Sequence, residues 1–143
     1  MKPFITGQRL AFQAVINGRA LQVSSVAGGL SLRPELRGPS RHWQWKVIAS
    51  GRVGRKRAGI GLYFDPDLPL GRHELVGHPQ IRVVYHDTPH GRGTLYHSQH
   101  LQSGVLTLLA ADARRRCLQG CFEFGISAMG FQVSEGRFDL WPG

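Results

Sequence analysis

The last third of the chain alternates between apolar and polar residues in a way only an extended backbone can use. In Cys121-Phe122-Glu123-Phe124, two aromatic rings fall on one side of a strand, and a thiol and a carboxylate fall on the other, because strand side chains alternate with period two. The stretches 103–112, 117–125 and 130–140 repeat this habit and carry their own turn signals, Arg114-Arg115-Arg116 after the first and Glu135-Gly136 inside the last. Such a meander, apolar on one face and polar on the other, predicts antiparallel sheet with its core on one side.

The N-terminal half reads the same way. Asn17-Gly18 between Phe12-Gln13-Ala14-Val15-Ile16 and Arg19-Ala20-Leu21-Gln22-Val23 supplies two residues suited to the positive φ of a type I′ turn, so a tight hairpin is expected there. Leu30-Ser31-Leu32 predicts a short strand, and Pro34, Gly38 and Pro39 enforce the break after it. Residues 42–50 alternate Trp43, Trp45 and Val47 against His42, Gln44 and Lys46. Residues 51–57 read as a basic loop, followed by strands at 58–64, 72–75, 81–85 and 93–97. Apolar residues never hold a helical spacing over three turns, although 99–101 or the residues before Cys117 could form one turn.

The 19 glycines and 8 prolines are spread along the chain as turn punctuation. The prediction is an all-β single domain over 1–143 with its core between 10 and 140. It would be an antiparallel β-sandwich or flattened barrel of about ten to twelve short, hairpin-connected strands. Phe12, Ile16, Trp43, Trp45, Leu62, Phe64, Val83, Tyr85, Leu106, Leu108, Phe122, Phe124, Phe131 and Phe138 are the expected core.

A chain of 143 residues buries roughly two thirds of its unfolded surface, so it needs neither disulfide nor metal to fold. Cys117 and Cys121 sit four apart on one expected strand, about 13 Å from each other, too far for a direct bond. The first ten residues lack an apolar run and a small-residue cleavage site, so neither a signal peptide nor a transmembrane segment is expected. The formal net charge is +9, carried by 18 Lys and Arg against 9 Asp and Glu, and this balance suits an anionic partner.

With these elements in place, the chain resembles a family of small bacterial β-rich domains of unknown function, commonly found on exported lipoproteins. The resemblance rests on Phe12-x-Ala14-x-Ile16-Asn17-Gly18, Gly71-x-His73-x-Leu75, Ser103-Gly104, Asp112, Gly120-Cys121-Phe122-Glu123-Phe124, Gly130-x-x-Val133 and Glu135-Gly136-Arg137-Phe138. It implies a β fold and a place in the cell envelope or outside the cell, and it brings no activity with it.

The sequence contains no recognisable catalytic constellation, and no cofactor is expected. Six histidines, His73, His78, His86, His90, His97 and His100, crowd one region but lack the closely spaced pairs typical of structural zinc. Cys117 beside three arginines is a candidate low-pKa thiol, and Asp65, Asp67 and Glu74 are the only compact acidic group, in a setting that also suits a rigid turn. The candidate anion-binding residues are Arg52, Arg55, Lys56 and Arg57 in one loop and Arg114, Arg115 and Arg116 in another, which would make one rim if both loops projected at the same end. Trp43, Trp45 or Tyr63 could stack bases beside it. The function expected is a non-catalytic binding or structural module of the bacterial cell envelope, whose partner would be an anionic polymer or an envelope component. The alternatives are a basic β-domain that binds nucleic acid or another polyanion, and a ligand carrier or enzyme with a pocket inside a barrel.

Overall fold

The computed structural model describes residues 8–32, 43–88 and 94–142. It is a β-sandwich of two antiparallel sheets that do not close into a barrel. The strands are β1 (Gln8–Ile16), β2 (Arg19–Ala20), β3 (Gln22–Leu32), β4 (Trp43–Val53), β5 (Lys56–Phe64), β6 (Gly71–Glu74), β7 (Ile81–Thr88), β8 (Thr94–His97), β9 (Ser103–Asp112), β10 (Cys117–Ile126) and β11 (Phe131–Pro142). One sheet runs β2-β1-β11-β10-β9-β6 and the other β3-β4-β5-β7-β8. Two single 3-10 turns, Ser98–His100 and Ser127–Met129, interrupt the strands. The first overlaps the expected turn at 99–101. Among the described residues no helix is long and apolar enough to cross a membrane.

The expected hairpin turn forms, with Asn17 at φ 50° and Gly18 at φ 81°, but its second strand is only Arg19–Ala20. Leu21 then carries the chain into the other sheet, where β3 runs as far as Leu32. The short strand expected at Leu30 is the end of this long one. Two other turn expectations are corrected. Residues 51–57 are not a loop: β4 reaches Val53, β5 starts at Lys56, and Arg52 pairs directly across from Arg57, leaving Gly54 and Arg55 as the turn. Glu135-Gly136 is not a turn between strands either. Glu135 has φ 51°, and the registers with both neighbours slip there, between Gln13 and Val15 of β1 and between Phe122 and Phe124 of β10. That is a β-bulge in the middle of β11, where an extra residue bends the strand without ending it.

The inward rows of both sheets form one continuous core. Every expected core residue that can be assessed lies in it, with Phe12 packed at its margin; the side chain of Trp43 is outside those described. At the centre of the six-stranded sheet, Phe122 stands opposite Gly136 and Phe138 opposite Gly120. A Cβ on Gly136 would clash with Cε2, Cδ2 and Cζ of the Phe122 ring, and one on Gly120 would lie 2.6 Å from Cζ of Phe138. Each ring thus occupies the space its partner's missing side chain leaves open. Phe122 also packs on Phe12 at 5.5 Å between centroids, and Phe138 reaches Phe64 of the other sheet at 6.3 Å.

Gly136→Ala should therefore destabilise the protein by about 1–3 kcal/mol, the usual range for overpacking, measured by urea denaturation. The same substitution in a Phe122→Leu background should cost less, because the clash is with the ring. An undiminished penalty there would place the strain in the backbone of the bulge instead.

Candidate functional site

The two arginine clusters do not share a rim. The β4–β5 turn packs at the end of the sandwich that holds the first hairpin, since a Cβ on Gly54 would lie 2.7 Å from Nη1 of Arg19. Arg116, in the β9–β10 turn, instead lines a crevice with Gly28, Gly29, Leu30 and Trp45, beside the start of β4. Trp45 and Val53 lie eight residues apart on β4, about 26 Å, so the clusters occupy opposite ends.

The Arg114-Arg115-Arg116 turn is organised by Asp112. Its Oδ1 accepts the backbone N–H groups of Arg114 at 3.0 Å and Arg115 at 3.2 Å, and Oδ2 lies 3.8 Å from Nε of Arg115. All three arginines are exposed.

The other cluster is divided by the pleat. Arg52 and Arg57 point outward, whereas Lys56 belongs to the inward row of β5 with Ala58, Ile60, Leu62 and Phe64. Its Nζ lies 3.7 Å from Oδ2 of Asp87, which is only 6% exposed and continues the inward row of β7. Tyr85 donates its hydroxyl to the same Oδ2 at 2.8 Å, and Oδ1 of Asp87 is buried without a hydrogen-bond partner. Burial first, then the hydrogen bond and the charge of Asp87, then Tyr96, push the Tyr85 phenol far above its ordinary value of 10.0. This inner group fastens the end of the hairpin beneath the two arginines. Sequence reasoning placed Tyr85 in the core but ended its strand there, at 85, and so left Asp87 outside it; the place of Asp87 in the alternation Ile81, Val83, Tyr85, Asp87 was the available signal.

The outer face above it has an unusual charge pattern. The five strands of this sheet contain one carboxylate, Asp87, and it points inward. Outward they present Lys46 and Arg82 on either side of Tyr63 in one cross-strand row, and Arg52 opposite Arg57 toward the other end. Between these lie Gly59 and Gly61 of β5, where a Cβ would run into the His86 ring and would lie 3.0 Å from the Tyr63 ring, respectively. The guanidinium carbon of Arg82 sits 4.7 Å from the Tyr63 centroid. Beyond that end a crevice of about 210 Å³ is lined by Gln44, Tyr63, Asp65, Gln80 and Arg82 among others, with Gln44 only 5% exposed. By contrast, the outer face of the six-stranded sheet mixes Glu74, Glu123, Glu135 and Asp139 with Arg72 and Arg137.

The remaining candidates are dispersed. His73 and His78 meet edge to face at 5.5 Å, His100 accepts the backbone N–H of His97 through Nδ1 at 2.9 Å, His86 lies over Gly59, and His90 is outside the described residues. His78 is held below its ordinary value by burial and then by His73, against the pull of Asp65. Among the described residues no three His, Cys, Asp or Glu side chains converge on a metal-sized site. Cys117 and Cys121 are both free thiols. Asp67 accepts from Gln80 at 3.3 Å and Glu74 pairs with Arg72 at 3.1 Å, so two of the three acids have partners outside the group. Trp45 is buried in the core and Tyr63 alone of the three expected stacking rings is shown on an outer face.

Compared with protein-family models, with curated proteins and with solved structures, the chain matches none of them.

Tyr85 gives the pH dependence of this end. Its folded-state value lies above the unfolded one, so its contribution is complete below about pH 10 and is lost as the pH rises further. Tyrosinate absorbance should show one tyrosine ionising only together with unfolding. Tyr85→Phe should lose less stability than the parent between about pH 10 and pH 12; equal losses would mean the phenol is not coupled to the fold.

Proposed function

We propose that the protein is a non-catalytic binding module that engages an anionic partner through the outer face of its five-stranded sheet. The observation that carries this reading is the Arg52–Arg57 pair. Like charges directly opposite on neighbouring strands destabilise a sheet, and among the described residues no carboxylate on this face compensates them. A local rule broken without internal compensation marks a functional position more often than a defect. Lys46 and Arg82 extend the same positive field to the other end of the face. The space between the sheets is filled by core side chains, which favours a surface site over an internal ligand cavity. A place in the bacterial cell envelope is the part of the proposal that rests on the resemblance of the turn glycines and core aromatics; an acidic polymer there would meet the same charges.

Two charge-matched triples test it. Lys46→Ser, Arg52→Ser and Arg57→Ser together should weaken binding to heparin or DNA at least tenfold more, about 1.4 kcal/mol, than Arg114→Ser, Arg115→Ser and Arg116→Ser at the opposite end. Binding by the parent should also fall steeply as salt rises, through counterion release. Arg52→Ser alone should leave the melting temperature unchanged or slightly raised. Equal losses from the two triples would remove the reason for assigning the partner to this face.

A further inference from the structure

From the same face we infer a more specific partner: a single-stranded nucleic acid whose bases stack on His86 and on the Arg82 guanidinium held over the Tyr63 ring. The inference rests on the reading of this face as an anion site and adds the kind of anion. A purely electrostatic surface has no need of flat rings, yet here two are laid along one strand. The Tyr63 ring leans over Gly61 and the His86 ring over Gly59, two residues apart on β5, which is about 7 Å. The glycines leave no side chains beneath the rings to lift them, and the Arg82 guanidinium lies over the Tyr63 ring, so the surface offered to a base is the imidazole at one end and the guanidinium held on Tyr63 at the other.

The charges stand where a backbone would need them. Lys46 and Arg82 flank the Tyr63 row, and Arg52 and Arg57 lie past Gly59 at the other end. A strand running along β5 would place phosphates at both ends and bases in the middle. Base stacking on aromatic rings contributes roughly 1–3 kcal/mol per base and tolerates any sequence, while a duplex hides its base faces and gains only from the charges. At the Tyr63 end, the crevice with Gln44 and Gln80 along its walls offers amide groups to the edge of a stacked base. An acidic glycan would use the four cations but lacks the planar, conjugated rings that this track accommodates.

The test uses fluorescence anisotropy on the full chain with three probes at one fixed salt concentration: a thymidine 12-mer, a 12-base-pair duplex and heparin. Tyr63→Ser with His86→Ser keeps the cations and removes both rings. Affinity for the single strand should fall at least tenfold, with duplex and heparin affinities nearly unchanged. His86→Phe, which keeps a ring and removes the imidazole, should retain single-strand binding and guards against misreading a folding defect; melting temperatures are compared for all variants. Equal losses for the three probes, or none for the single strand, would overturn the stacking inference, and in the second case the anion site would still stand. Failure of Arg52→Ser with Arg57→Ser to weaken any probe would instead overturn the anion site itself. Parent affinity for heparin that exceeds that for the single strand and is insensitive to the ring variants would assign the face to acidic glycans and overturn the nucleic-acid inference.

Discussion

The reciprocal seating of Phe122 on Gly136 and Phe138 on Gly120 is the interaction on which the rest of the sandwich depends. Two central strands are locked in register by rings that fit only where the neighbour has no Cβ. A slip of one residue would turn the aromatic row to solvent and set side chains where the rings must lie. Because Phe138 also reaches Phe64, and Phe122 reaches Phe12 and Phe124, the lock ties both sheets and the first strand to one centre. The bulge at Glu135 follows from it: the extra residue keeps Phe131 and Val133 on the core side while Phe138 and Leu140 stay there too.

The five-stranded sheet uses the same pairing of ring and glycine with the opposite polarity. There the rings of His86 and Tyr63 cover Gly59 and Gly61 on the outside, while the inward row of Ile60, Leu62 and Phe64 fills the core. A ring laid on a glycine in the core gains burial. Laid on the outer surface it leaves a flat, half-covered face, which gains little for folding and is available for something else. The separation of charge points the same way, since carboxylates occupy the outer face of one sheet and are missing from that of the other among the described residues.

Much of the architecture was legible because alternation is a local signal. The strands 103–112, 117–125 and 58–64 are found where the pattern put them, and the type I′ turn at Asn17-Gly18 formed. What failed was non-local. Arginine and glycine between 51 and 57 look like a loop, yet pairing with β3 and β7 extends the strands through them. Glu135-Gly136 has turn chemistry, but pairing on both sides of β11 converts it to a bulge. The stretch from Ser24 to Gly29 carries too few apolar residues to announce β3, which exists because β4 needs a partner. The candidate face was half visible: Arg52 and Arg57 were singled out, but as one end of a rim. Lys46, Arg82 and His86 join them only once β4, β5 and β7 are known to be neighbours.

The end of the β4–β5 hairpin shows how the fold holds these two arginines in place. Outside, Arg52 and Arg57 repel across the pair; inside, Lys56 and Tyr85 converge on the buried carboxylate of Asp87. Asp87 pairs with Ala58 and Thr88 with Arg57, so the strand that carries the buried acid also backs the outward arginine. The single acid of the five strands is thus matched by Lys56 inside the sandwich and leaves the two outward charges uncompensated. A carboxylate on the outer face would have stabilised the sheet more directly, by closing an ion pair with either arginine, and would have erased the positive field that the face presents. Placing the acid beneath the sheet retains both the hairpin and the charge.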